Sequence, residues 1–196
     1  MKLLFVGLSA FALSACVVIH ASPDTLMPAG SEKVTLNDFS GIELRGGGDI
    51  EIEHGAEFTF TDTGDRHDWK IGIEKGNLVL KCDNPCTGRG RRSALITLPE
   101  LENISLKGGG EIDVEGDFPD VRELNIAIHG GGDIDASDVR ADEVNVSIMG
   151  GGEVDVHAAD ELNVSIMGGG QINYRGTPEI HKSILGGGGV YPIKGS

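Results

Sequence analysis

A run of three glycines occurs six times in this chain, each time followed by a short strand-like segment. The motifs are RGGGDIEI from Arg45, KGGGEIDV from Lys107, HGGGDIDA from His129, MGGGEVDV from Met149, MGGGQINY from Met167 and LGGGGVYP from Leu185. The triplets start at Gly46, Gly108, Gly130, Gly150, Gly168 and Gly186, and the last five lie 22, 20, 18 and 18 residues apart. A short fixed period marks a repeat architecture, in which each unit buries its apolar face only against its neighbours. A period near 20 is too short for a propeller blade or a helix pair and suits one coil of a β-solenoid.

Alternation of apolar and polar residues around each triplet supports strands on both sides of it. Ile104, Leu106, Ile112 and Val114 are followed by Leu124, Ile126, Ile128 and Ile134, then by Val144, Val146, Ile148, Val154 and Val156, then by Leu162, Val164, Ile166 and Ile172. Every one of these positions is even, so one face is apolar throughout, and the odd positions carry Asn, Ser, Asp and Glu outward. The expected fold is all-β: a β-solenoid of about six glycine-cornered coils. Successive coils would stack at about 4.8 Å and align equivalent residues in columns. Residues 57–98 break the period. Their alternating segments and the Glu74-Lys75-Gly76-Asn77 turn signal predict an N-terminal capping β-hairpin region that protects edge strands, with Ser93–Pro99 resuming the coil. At the far end, Lys182 stands where an apolar residue is expected and Pro192 follows; both suit a terminal coil that recruits no further strand.

The 31 acids against 16 Lys and Arg, a net charge of −15, argue against a nucleic-acid partner, which requires a basic face. The glycines are clustered and have no G-X-Y period, so a collagen helix is excluded.

The opening MKLLFVGLSAFALSAC has one cation, an apolar stretch too short to span a bilayer, and small residues before a cysteine. It reads as a secretory signal over residues 1–15. Leu13-Ser14-Ala15-Cys16 resembles a bacterial lipobox, which implies cleavage before Cys16 and lipidation there; a soluble product cut near Ala15 or Ala21 is the alternative. Residues 16–33 then form a lipid-attached tether containing Pro23 and Pro28, and residues 34–196 the folded domain. Val17 in place of Asp favours the outer membrane by the pattern of such lipoproteins. Cys82 and Cys86 are candidates for a local disulfide in an oxidising compartment, with free thiols or a metal as the competing readings.

FSGIEL followed by GGGDIEI, EKGNLVLK, ITLPELENISLKGGGEIDV and the repeated triplet units resemble the bacterial GIN-domain family of auto-transporter adhesin head domains, over about residues 39–191. The resemblance implies a single-chain right-handed β-helix-like fold and brings no catalytic residues. The family triplet is usually glycine–small–glycine, whereas here it is nearly all glycine.

Several constellations are candidates for function. The glycine column is a bend shared by every coil, or alternatively a side-chain-free trough for an extended polymer. Two acidic columns follow it, Asp49, Glu111, Asp133 and Glu153, and Glu51, Asp113, Asp135 and Asp155, ending in Gln171 and Asn173. They read as a solvated face, with Ca²⁺ sites as the sharper alternative; no other cofactor is expected. Arg45, Lys107, His129, Met149, Met167 and Leu185 precede the triplets as packing or as a contact stripe. Asn103, Asn125, Asn145 and Asn163 predict a stacked amide ladder. Asp62–Asp68 is the least repetitive polar cluster, and Arg89, Arg91 and Arg92 form a basic island suited to anionic headgroups or a solvated loop. No GxSxG, HExxH or phosphate-loop motif occurs, so no enzyme is expected. The reading is an exported, lipid-anchored, non-enzymatic binding or adhesin-like module of the cell envelope. It would meet the membrane through its lipid and take a glycan or protein ligand. A periplasm-facing structural scaffold and a polysaccharide-active enzyme are the alternatives.

Overall fold

A computed structural model describes residues 27–28, 33–82 and 89–193. The expected signal segment, Cys16, nearly all of the tether and Cys86 lie outside the described residues. Among those described there are strands and turns and no helix.

The strands are β1 (Met27–Pro28), β2 (Val34–Thr35), β3 (Gly41–Gly46), β4 (Asp49–His54), β5 (Thr59–Asp62), β6 (Trp69–Glu74), β7 (Asn77–Cys82), β8 (Ser93–Leu98), β9 (Asn103–Gly108), β10 (Glu111–Glu115), β11 (Val121–Gly130), β12 (Asp133–Gly150), β13 (Glu153–Gly168), β14 (Gln171–Arg175), β15 (Glu179–Gly186) and β16 (Gly189–Pro192). They join in one curled sixteen-stranded mixed sheet.

Most pairing is parallel and climbs one repeat at a time. Segments ending at a triplet pair in the order β3, β9, β11, β12, β13, β15, with β7 beside β3 at the start of the series. Segments leaving a triplet pair in the order β4, β10, β12, β13, β14, β16, with β8 beside β4 at the start of the series. The register places Gly46 beside Gly108, then Gly130, Gly150, Gly168 and Gly186, so all six triplets form one column.

The ladder runs unbroken through the corner. Gly131 N donates to Gly108 O at 2.8 Å, Gly151 N to Gly130 O at 2.8 Å and Gly169 N to Gly150 O at 2.8 Å. The first glycine of the triplet is required twice over. Gly150 has φ +125°, and a Cβ there would run into the carbonyl oxygen of Gly130 in the rung beneath. The middle glycine is different: a Cβ at Gly151 meets nothing within 4 Å. This asymmetry is the physical content of a glycine–small–glycine pattern.

Even parity holds through the stack. Ile104, Leu106, Ile112, Ile126, Ile128, Ile134, Val146, Ile148, Val154 and Ile166 are all buried. Each such aliphatic side chain contributes about 1.5–3 kcal/mol on leaving water, before conformational entropy is charged against it. The repeat lengths of 20 and 18 are reconciled in β12, whose register against β13 shifts between Ala136 and Arg140 and again between Ala141 and Glu143. The extra residues are absorbed as an irregularity on the side opposite the glycines.

The N-terminal region contains more than a cap. β7 and β8 form a further parallel rung beneath β3 and β4, with Ile42 beside Leu78 and Ile52 beside Ile96. The chain therefore descends one rung before climbing past its starting level. Cys82, the last residue of β7, is disulfide-bonded. The expected hairpin is β6–β7, turning through Lys75 (φ 52°) and Gly76 (φ 79°). β6 and β5 close the two edges by antiparallel pairing, and buried Trp69, Phe60 and Ile71 cover the end of the core. At the other end, Ile180, Ile184 and Val190 are only partly buried, and Lys182 replaces the core residue aligned with Val164.

Two predictions follow from this packing. Gly150→Ala is expected to cost about 2–4 kcal/mol by combining backbone strain with collision, while Gly151→Ala stays within about 0.5 kcal/mol; urea denaturation of both variants checks the contrast. Lys182→Val removes the inward charge that blunts the last edge. Light scattering after size-exclusion chromatography is expected to show self-association that the parent chain lacks.

Candidate functional site

The outward residues form columns on two faces meeting at the glycine corner. After the corner, Asp49, Glu111, Asp133, Glu153 and Gln171 lie side by side, as do Glu51, Asp113, Asp135, Asp155 and Asn173. The upper end is knitted by amides: Asn173 Nδ2 donates to Glu153 Oε1 and Asp155 Oδ1, both at 2.6 Å, and Gln171 Nε2 to Glu153 Oε1 at 3.2 Å. Lower down the carboxylates have fewer partners. Asp113 is pushed above the ordinary Asp value, first by burial and then by Glu111, Asp135, Glu115 and Glu51. Asp155 is also raised; burial is the largest cause, the Asn173 hydrogen bond opposes it, and Asp135 and Glu153 add to it. An acidic recess of about 470 Å³ opens here between Asp49, Glu111, Asp113 and the Thr63–Asp65 loop. Among the described residues, no group of three or more His, Cys, Asp or Glu side chains converges to hold a metal ion. The expected columns exist, but their carboxylates stand as a ladder and do not close into a cage.

The loop at Asp62–Asp68 is a clasp. Thr63 N and Gly64 N donate to Ser93 O, and Asp65 N donates to Arg91 O. Arg92 Nε and Nη2 bond Asp68 Oδ1 and Oδ2 at 2.8 and 3.0 Å, which together with Arg66 holds the Asp68 carboxyl below its ordinary value. His67 Nδ1 lies 3.2 Å from Oδ2 of the fully buried Asp62 side chain. The basic island is thus divided: Arg92 is spent inside the clasp, while exposed Arg91 reaches Asp49 at 3.5 Å. No Ser or Thr hydroxyl among the described residues is hydrogen-bonded to a histidine.

The face before the corner is organised differently. Four columns run across it. Glu123, Glu143, Glu161 and Glu179 come first, then Asn103, Asn125, Asn145, Asn163 and His181, then Ser105, Ala127, Ser147, Ser165 and Ser183. The fourth is the graded column, Arg45, Lys107, His129, Met149, Met167 and Leu185. Arg45 and Lys107 are tied to Glu43, whose carboxyl is held low, chiefly by Arg45. The apolar members are open to solvent: Met149 is 47%, Met167 51% and Leu185 72% exposed.

The stacked amide ladder is only partial. Asn145 Nδ2 reaches Asn125 Oδ1 at 3.3 Å, but it also donates to Glu143 Oε1 at 3.1 Å and Glu123 Oε1 at 3.3 Å, and Asn163 Nδ2 donates to Glu143 Oε1 at 3.4 Å. A groove of about 760 Å³ runs over the Asn and Ser columns from Asn77 and Glu43 to Ser183. The trough imagined over the glycines is therefore found one strand earlier. The sequence carried its signal as Asn-x-Ser repeated before three of the triplets, which is also the pattern of a glycosylation sequon.

These features define an all-β repeat protein whose outward residues are sorted into long chemical columns. Residues 38–120 and 119–178 each match the family described as "Putative auto-transporter adhesin, head GIN domain". The chain belongs to this family, and the two successive matches mirror its internal repetition. Its fold is similar to that of a "putative adhesin" from Bacteroides fragilis NCTC 9343, with 20% identity, TM-score 0.52, and 87% of this chain and 98% of that one covered. A "putative adhesin" from Parabacteroides merdae ATCC 43184 aligns at 19% identity and TM-score 0.40, covering 83% of this chain and 95% of that one. A "putative cell adhesion protein" from Clostridium sporogenes ATCC 15579 aligns at 13% identity and TM-score 0.41, covering 83% and 98%. No curated protein matches the chain.

The raised carboxyls fix the sign of the pH dependence. A carboxyl whose folded value exceeds its unfolded one binds more protons in the folded state, so its contribution to stability rises as pH falls from neutral through that raised value. Glu43 and Asp68, held low, act oppositely and lose their contribution only below the ordinary carboxylate range. Thermal melting is expected to show a modest gain from pH 7 to pH 5. Asp113→Asn is expected to add about 0.5 kcal/mol at pH 7, the scale of one relieved like-charge cross-strand contact, and to flatten that gain.

Proposed function

We propose that the chain is an exported, lipid-anchored, non-enzymatic binding module of the bacterial cell envelope, adhesin-like in presenting one repetitive face to its ligand. The observation that carries this reading is the groove over the Asn and Ser columns, which continues through the rungs and keeps the same chemistry from one to the next. Repetition along a face suits contact with something extended, whereas catalysis calls for neighbouring groups with unlike environments. Membership of a family whose description names an adhesin head domain supports the same reading.

The parallel, one-rung-per-repeat pairing favours winding as a right-handed single-stranded β-solenoid, since parallel connections within a sheet are right-handed in nearly all proteins. In this reading residues 1–15 are removed on export, Cys16 carries the lipid and residues 16–33 tether the domain 34–196 to the outer membrane. Cys86 is the partner we assign to Cys82. Multiple acyl chains hold firmly, each buried methylene contributing about 0.8 kcal/mol.

Cys16→Ser is expected to abolish incorporation of labelled palmitate and to move the protein from the membrane to the soluble fraction. Protease shaving of intact cells is expected to remove the wild-type domain. Full protection of the domain on intact cells would contradict an adhesin-like role, and retention of Cys16→Ser in the membrane would contradict the anchor.

A further inference from the structure

The groove has an orientation and a period, and both constrain what fits it. Its floor is the column of small residues Ser105, Ala127, Ser147, Ser165 and Ser183, and none of the four serine hydroxyls is hydrogen-bonded to another of the described residues. On one bank, Glu123 and Glu143 accept from the amide of Asn145. A carboxylate can only accept, so the NH₂ group of Asn145 is held by the Glu column and its carbonyl Oδ1 is left without a donor among the described residues. Asn163 is held in the same sense by Glu143. On the other bank stand the exposed Met149, Met167 and Leu185. Along its upper half the groove thus offers acceptors on one side, free hydroxyls in the middle and apolar contact on the other, repeated with every rung at about 4.8 Å.

An extended peptide advances about 3.3 Å per residue and turns successive side chains to opposite faces, so its like-facing groups recur at about 6.6 Å and do not match rungs about 4.8 Å apart. A pyranose ring in an equatorially linked chain advances by close to one rung. It also has the required division of surface, with hydroxyls at its edges and C–H groups on its faces. The charge balance selects further. The Glu column flanks the groove for its whole upper length and the chain's net charge is −15, both of which repel a polyanion; Lys107 is already paired with Glu43, which leaves Lys182 at the upper end as the lysine in the groove's lining.

We propose that this groove binds a linear, uncharged, equatorially linked glycan lying along the stack, one sugar per rung. The proposal rests on the reading of the chain as a binding module and names its ligand class.

The test is calorimetric titration of the full chain, purified in mild detergent, with cellohexaose and chitohexaose. At least one of these binds, and its affinity rises with length from the dimer and levels off near the hexamer, where the rungs of the groove are used up. Maltohexaose, which has the same sugar as cellohexaose in an axially linked, curved chain, and hexagalacturonate bind about tenfold more weakly or not at all. Ser147→Tyr and Ser165→Tyr fill the floor with outward side chains and reduce affinity about tenfold with unchanged melting temperature, whereas Asp133→Asn on the other face leaves affinity as it was.

Absence of saturable binding to both neutral hexamers overturns the proposal. So does equal affinity for maltohexaose or hexagalacturonate, or indifference to both tyrosine variants. Saturable binding of an extended peptide in place of the glycans would likewise overturn it. Cell shaving and palmitate labelling do not depend on the groove, so loss of the glycan result leaves the envelope reading standing, and loss of the envelope reading leaves the calorimetry interpretable.

Discussion

The structure depends on backbone hydrogen bonds that continue around a corner. A parallel stack can bend its strands only if the amides at the bend still find the carbonyls of the next rung. At each triplet they do, with Gly131 bonding Gly108, Asp133 bonding Gly110, and the same pair of bonds repeated at the next three rungs. A side chain on the first glycine would occupy the space of the carbonyl that accepts the bond. Glycine is therefore the condition for stacking at this corner, and its recurrence sets the register of everything on either side.

Once the register is set, the columns follow, and so do their costs. Stacking one acidic rung on another places like charges side by side, and the raised Asp113 and Asp155 show where burial and repulsion accumulate. Toward the upper end the acids give way to Gln171 and Asn173, whose amides bond the carboxylates beneath them. Before the corner Glu123 and Glu143 accept from the amides of Asn145 and Asn163, which turns that part of a repulsive ladder into a device for orienting amides. The two faces thus differ in kind: one carries charge in excess of its partners, the other carries a sorted gradient from acceptor to hydroxyl to apolar side chain.

Much of this was legible in the sequence because it is periodic. The triplets, the even-numbered aliphatics and the odd-numbered polar residues predict the stacked rungs, the buried face and the two acidic columns, and the structure places each where parity puts it. What periodicity could not show is order in space. Asn77–Cys82 and Ser93–Leu98 have the alternation of a rung but no triplet, so nothing local marks them as the rung beneath Gly41–His54. The groove escaped for a different reason. The Asn, Ser and Met columns are visible one at a time, but the division of labour between them depends on which way an amide faces, and that is decided by Glu123 and Glu143 in neighbouring rungs.

Stacking of the triplets is the central claim, and spin-label distances measure it directly. A Cβ at Gly131, Gly151 or Gly187 meets nothing within 4 Å and one at Gly109 only touches Gly131 O at 3.4 Å, so these four can be replaced by cysteine in pairs and labelled, with Cys16 changed to Ser and Cys82 already bonded. In-register stacking predicts narrow distributions that lengthen by about 4.8 Å per rung, reaching roughly 19 Å between positions 109 and 187 before the label's own reach is added. Broad distributions, or separations that do not increase in equal steps with rung number, would contradict it.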